Sequence, residues 1–182
     1  MTPKKLLLIF SWVLLLYSCK EVSFREPQPA GINSLTEIPK TLQGNYVGID
    51  DKGDDTDTLI IESWGYHFRD TKDKDWLGKG VISDSLVIKS YQSYYFVNFR
   101  SGDQWVLRVI RLKPGGSIDF MSIPVNDDAK RKDILKKLSK KFEVREIQRK
   151  DDTFYQINPT RDQLMQLIRE GFFMGNELVK TK

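Results

Sequence analysis

The side chains able to do chemistry are few, and the densest group of them is a run of carboxylates: Asp50, Asp51, Asp54, Asp55 and Asp57. Hard cations such as calcium take oxygen ligands of this kind. The spacing does not match an EF-hand loop, however, and an acidic hairpin loop is ordinarily a solvated turn, so no metal ligands are assigned. His67 is the single histidine. An imidazole titrates near neutrality and can serve as a general base, but no Gly-x-Ser-x-Gly element supplies it with a nucleophile. It reads as a structural or surface residue. With one cysteine and one histidine in the chain, neither a cysteine-based zinc site nor a histidine cluster can be assembled. Carboxylates scattered through the loops leave a hydrolase as a minor alternative, because their separation cannot be read from sequence. No catalytic residue and no cofactor is assigned, and the reading favours a protein that is not an enzyme.

Aromatic side chains gather in the middle of the chain, from Trp64, Tyr66, Phe68 and Trp76 through Tyr91, Tyr94, Tyr95, Phe96 and Phe99 to Trp105. Such residues are ordinary sheet core, and they can also line an apolar pocket or form a stacking face. Trp64, Tyr66, Phe68, Tyr94, Phe96 and Trp105 are the candidates for a ligand-binding surface. Lys130, Arg131, Lys132, Lys136, Lys137, Lys140 and Lys141 make a basic stretch that suits a solvated helix face, or contact with anionic headgroups or an acidic partner. The net charge of +4 is too mild to point to nucleic acid.

The first residues carry an address. Lys4 and Lys5 precede the apolar run Leu6 to Leu16, the n-region and h-region of a secretory signal. The run is well short of the roughly 20 residues that span a hydrocarbon core. It ends in Leu16-Tyr17-Ser18-Cys19, which resembles the lipobox of bacterial lipoproteins. That resemblance implies cleavage before Cys19, a diacylglyceryl group on its sulfur, and acylation of its new amine, with palmitate as the acyl group. The protein would then be held in the membrane by its N-terminal lipid, and its sole thiol would be unable to form a disulfide. Phe24-Arg25-Glu26-Pro27-Gln28-Pro29, Leu35, Ile38-Pro39 and Leu42-Gln43-Gly44-Asn45-Tyr46 resemble the N-terminal region of small lipoproteins of the Bacteroidota. Gly44-Asn45-Tyr46 is also similar to the Gly-x-Trp opening strand of lipocalins. In that bacterial group lysine and acidic residues after the cysteine resemble a surface-export signal, matched in part by Lys20-Glu21. These resemblances imply an outer-membrane protein facing either the periplasm or the cell surface.

The elements that position these residues follow from periodicity. Residues 1–18 are read as signal peptide, 19–40 as a lipid-anchored tether rich in proline, and 41–182 as one β-rich domain. Such a tether reaches roughly 60 Å at about 3.1 Å per residue, unless Phe24, Ile32, Leu35 and Ile38 pack it onto the domain. From Leu42 onward, short alternating runs separated by Gly, Asp and Ser predict strands near 44–49, 58–62, 65–69, 77–82, 85–90, 94–100, 105–112 and 117–123. Ile134, Leu135, Leu138 and Phe142 behind Asn126, Asp127 and Asp128 predict a helix. A second hairpin is expected over 142–157. Thr160, three residues before Gln163, predicts the capped start of a last helix that ends at Gly171, and the polar tail beyond is expected to fray. The fold class is α+β and mainly β: a curved antiparallel meander or an open, lipocalin-like barrel with one or two helices in the C-terminal half. The function expected of it is a non-catalytic envelope module that binds a small apolar ligand or an envelope partner. The alternative is an accessory subunit of an outer-membrane assembly.

Replacing the acyl acceptor, Cys19→Ala, is expected to release the protein from membranes on fractionation. Carbonate-resistant membrane association of that variant would overturn the anchor.

Overall fold

Alternation along β8 (Gln104–Leu112) places Leu107 and Val109 on one face and Val106 and Ile110 on the other, and all four are buried. A strand with apolar residues on both faces must be covered on both, and the architecture follows from that. The computed structural model describes residues 19–48, 58–69, 78–150 and 152–181. Its elements in chain order are β1 (Cys19–Phe24), β2 (Gly44–Val47), β3 (Leu59–Glu62), β4 (Gly65–Phe68), β5 (Lys79–Val81), β6 (Leu86–Tyr91), β7 (Tyr94–Ser101), β8, β9 (Ile118–Ser122), α1 (Asp128–Ser139), β10 (Arg145–Gln148), β11 (Asp152–Gln156), α2 (Arg161–Arg169) and β12 (Met174–Thr181).

One edge of β8 pairs with β7 along its length, from Tyr94 opposite Arg111 to Ser101 opposite Gln104. The other edge is shared. Ser23 and Phe24 of β1 pair with Val106 and Trp105, while β9 pairs with Val109 to Leu112. The sheet therefore forks at β8. One arm runs β1-β11-β10, and the other runs β9-β12-β2-β3-β4-β5, with β6 beyond β7. The result is a mainly β, α+β fold in which the sheet stays open, as expected, and the helices lie in the C-terminal half.

Two cores lie on opposite faces. On one, Phe96, Leu107, Val109, Val22 and Phe24 pack against Ile134 and Leu138 of α1 and Leu164, Met165, Leu167 and Ile168 of α2. On the other, Val97, Phe99, Ile110 and Ile118 meet Leu59, Ile61, Tyr46 and Tyr66 from the longer arm. Both helices start where their caps predict. Asp127 accepts from the backbone N–H groups of Ala129 and Lys130, and Thr160 and Gln163 close a reciprocal capping box. Each arrangement satisfies amide donors that the first turn leaves without partners. Gly171, at φ +76°, ends α2 in the left-handed conformation that glycine adopts without steric cost.

Three expectations are corrected. Residues 19–40 are not a tether. Their first six residues are β1, which pairs in parallel with β11 from Cys19 opposite Asp152 to Ser23 opposite Gln156, so the sheet is not wholly antiparallel. Val22 and Phe24 enter the helix-side core, while Glu21 on the other face receives a bidentate hydrogen bond from Arg108, at 2.6 and 3.1 Å. The polar tail does not fray either. As β12 it pairs with β9 over 174–178 and with β2 over 179–181, so backbone hydrogen bonds hold a strand whose side chains are mostly exposed.

Beyond β1 the chain crosses the sheet as a strap. Asn98, fully buried in β7, accepts from the Gln28 N–H at 2.7 Å and donates to the Gln28 carbonyl at 2.8 Å. Lys89 donates to the carbonyls of Pro27 and Pro29 at 2.7 and 2.9 Å. The strap then rounds the edge of β6, where Ser34 bridges Lys89 and the Leu35 N–H donates to the Ile88 carbonyl.

Because the Arg108 and Glu21 side chains are only 10% and 13% exposed, removing one of them strands a buried charge. Glu21→Ala should cost about 3–5 kcal/mol in urea unfolding, whereas the double change Glu21→Leu with Arg108→Met should return most of that loss.

Candidate functional site

Inside the longer arm the alternating residues converge on a cavity of about 90 Å³. Leu59 and Ile61 of β3, Tyr66 and Phe68 of β4, and Val97 and Phe99 of β7 each enter as an i, i+2 pair, the spacing that puts strand side chains on one face. Ile88, Ile110 and Phe120 continue the wall, and Ile38 and Leu42 of the strap complete it. Tyr66 meets Phe99 edge-on at 6.0 Å and Phe68 at 6.4 Å between centroids, the T-shaped geometry that aromatic quadrupoles favour.

Close backbone approach shapes the β4–β5 corner. A Cβ at Gly65 would lie 2.0 Å from the Gly80 carbonyl oxygen, so no larger residue fits there. On the inner side, a Cβ at Gly80 would lie 2.5 Å from Tyr66 Cε1 and 2.8 Å from Leu86 Cδ2. Tyr46, fully buried below the strap, donates its hydroxyl to the Leu42 carbonyl at 2.9 Å, and burial pushes its pKa up.

Among the described residues the wall is aliphatic and aromatic, so the cavity can hold an apolar group. A dry apolar cavity of about 150 Å³ accepts benzene or xenon, and drug-sized ligands need about 300–1,000 Å³. The space therefore suits a slender or small apolar group.

Of the six aromatic candidates, the structure brings only Tyr66 and Phe68 to this cavity. Phe96 is fully buried in the helix-side core, and Tyr94 and Trp105 pack against that same core. Trp64 is exposed in the β3–β4 turn, stacked on His67 at 6.1 Å with Lys79 5.9 Å from its ring. The six do not form one surface, because alternation sends Tyr94 and Phe96 to the face opposite Val97 and Phe99. His67 lies 3.8 Å from Glu62 on the outer side. The aliphatic wall and Leu42 were not singled out from sequence, whereas Ile38 was among the residues expected to pack this segment onto the domain if it was not a tether. The i, i+2 pattern within each strand is the signal that could have found the wall.

The other candidates fall elsewhere. Asp50, Asp51, Asp54, Asp55, Asp57 and Trp76 lie outside the described residues. Among the described residues, no group of three or more His, Cys, Asp or Glu side chains could hold a metal. Several cations of the basic stretch are ion-paired: Lys130 with Asp127, Arg131 with Asp128, Lys137 with Asp133 and Lys141 with Glu170. Hydrogen bonds from Lys130 and Arg131 hold Asp127 and Asp128 below the usual carboxylate range. Lys89 is pushed down by burial, and the charge of Glu26 opposes that shift.

Compared with known proteins, the chain matches no protein family, no curated protein and no solved structure. Among the described residues no helix is long and apolar enough to cross a membrane.

A Cβ at position 80 must drive the Tyr66 ring or Leu86 aside, into the space beside them. Gly80→Ala is expected to cost about 1–3 kcal/mol of stability, as overpacking does, and to abolish xenon uptake measured by the ¹²⁹Xe chemical shift. Uptake equal to that of the parent protein would show that the cavity lies elsewhere.

Proposed function

We propose that this protein is a lipid-anchored module of the bacterial outer membrane that holds a slender apolar ligand without transforming it. The observation that carries the reading is the cavity lined by Ile61, Tyr66, Phe68, Val97, Phe99 and their neighbours, with apolar side chains converging from six strands and the strap. Small-molecule sites are concave and mostly apolar.

The anchor rests on the Leu16-Tyr17-Ser18-Cys19 motif. Cys19 is exposed at the very start of β1, a position from which acyl chains can reach a bilayer. Because β1 is paired from that residue onward, the acylated domain is held close to the membrane surface rather than at the end of a long leash. That is where apolar molecules partition, on either the periplasmic or the outer side. Two or more acyl chains provide the durable attachment that one chain cannot.

The form beginning at Lys20 and isolated from its native envelope should show, in native mass spectra, a stoichiometric added mass that disappears on denaturation. The same form carrying Val97→Phe, which fills the space, should fly bare while retaining a cooperative thermal transition. A bare mass for both forms would overturn the ligand reading in favour of an accessory subunit of an envelope assembly.

A further inference from the structure

The cavity wall is not uniform. On most sides it is laddered sheet, with β2, β3 and β4 paired in sequence and β6, β7, β8 and β9 paired in sequence. Opening those sides breaks several backbone hydrogen bonds at once. The strap side is different. Between Gly31 and Gly44 the chain forms no named strand or helix, and Asn33, Ser34, Thr36, Glu37, Lys40 and Thr41 are exposed. Only Ile38 and Leu42 of this stretch are buried, at 4% and 2% exposure, and both face the cavity.

Two backbone hydrogen bonds carry this stretch across the seam between β6 and the β3–β4 turn. The Leu35 N–H donates to the Ile88 carbonyl at 2.7 Å, and the Ile38 N–H donates to the Ser63 carbonyl at 2.8 Å. Ser34 bridges Lys89 at the clamped end, and the Thr41 hydroxyl meets that of Tyr95 at a long 3.5 Å; Gln43 Nε2 to the Ile38 carbonyl at 2.7 Å is internal to the segment. The ends are held much more firmly. Asn98 and Lys89 clamp residues 27–29 on one side. On the other, β2 is paired on both edges, and Tyr46 holds the Leu42 carbonyl. A segment with few buried apolar contacts and few backbone bonds, set between firm clamps, opens locally at lower free energy than the sheet around it.

We propose that residues 32–41 are the gate of the cavity, hinged where Tyr46 holds the Leu42 carbonyl. They swing away from Ile88 and Ser63 to admit and release a small apolar ligand, and Ile38 is the side chain that shuts it. The inference rests on the reading that the cavity holds a ligand. It adds that entry runs between β6 and the β3–β4 turn, and that the strap, not the sheet, sets the exchange rate.

The test uses the chain from residue 19 onward, which contains every described residue, with xenon as the probe and its exchange followed by ¹²⁹Xe NMR. Ile38→Ala truncates an isoleucine on the gate, and Ile134→Ala truncates one of similar burial in the helix-side core, away from the cavity. Ile38→Ala should speed exchange at least tenfold, and Ile134→Ala should leave the exchange rate within a factor of two. Hydrogen exchange of the unmutated protein supplies a second readout that does not depend on either variant. The amides of Leu35 and Ile38 should exchange at least a hundredfold faster than those of β7, by an opening no slower than probe release. Equal acceleration by both variants, or strap amides protected as long as those of β7, would overturn the gate while leaving the ligand site standing. No xenon uptake by the unmutated protein would overturn the ligand site, and the gate with it.

Discussion

β8 buries apolar side chains on both faces, Leu107 and Val109 on one and Val106 and Ile110 on the other, and shares one edge between two partners. A strand buried on both sides needs two separate coverings, and the chain supplies them from different regions. Helices α1 and α2 cover the face of Leu107 and Val109, and the curled arm β9-β12-β2-β3-β4-β5 covers the face of Ile110. The fork lets both arms start from the same strand. β1 occupies the edge at Trp105 and Val106, and β9 takes it from Val109 onward. Without the fork the sheet has only one direction in which to grow, and the cavity has no far wall.

The strap answers a second demand, which is to close a barrel whose strands do not. Its attachment is polar and local. Asn98 satisfies both the N–H and the carbonyl of Gln28, and Lys89 covers two proline carbonyls. Buried polar groups of this kind are favourable only when they are paired, so they fix the position of the strap in a way that apolar contact alone does not. Burial lowers the Lys89 pKa, as expected when desolvation of the ammonium outweighs the nearby charge of Glu26. The firm clamps and the thinly bonded stretch between them belong to one design, because a cover with two fixed ends can open and return to the same place.

Local signals were legible wherever the information lies within a few residues. The capping box at Thr160 and Gln163, the acidic N-cap of α1 and the glycine that ends α2 are encoded by neighbours in the chain, as are the alternating strands from β2 to β9. β12 was hidden because its residues, from Met174 to Thr181, are mostly exposed and show no apolar-polar alternation. Its strand state comes from backbone pairing with β9 and β2. β1 was hidden for a related reason. Glu21, Ser23 and Arg25 look like a polar linker until Arg108, Gln104 and Gln156 are brought to them.

The fold class, the two helices and their caps, the period-2 faces and the lipobox-like motif ending at Cys19 are all readable in the chain, since each depends on residue type and short-range spacing. Which face of each strand becomes core and which becomes cavity depends instead on the long-range packing of the arms and helices. Period 2 specifies two faces but does not say what covers either one. Tyr94 and Phe96 are as aromatic as Tyr66 and Phe68, yet helices cover the first pair and the curled arm encloses the second. The roles of Ile38 and Leu42 are more remote still. Two apolar residues in a proline-bearing linker become the cover of a cavity because Leu35 and Ile38 reach across to Ile88 and Ser63, partners that no short-range pattern can name.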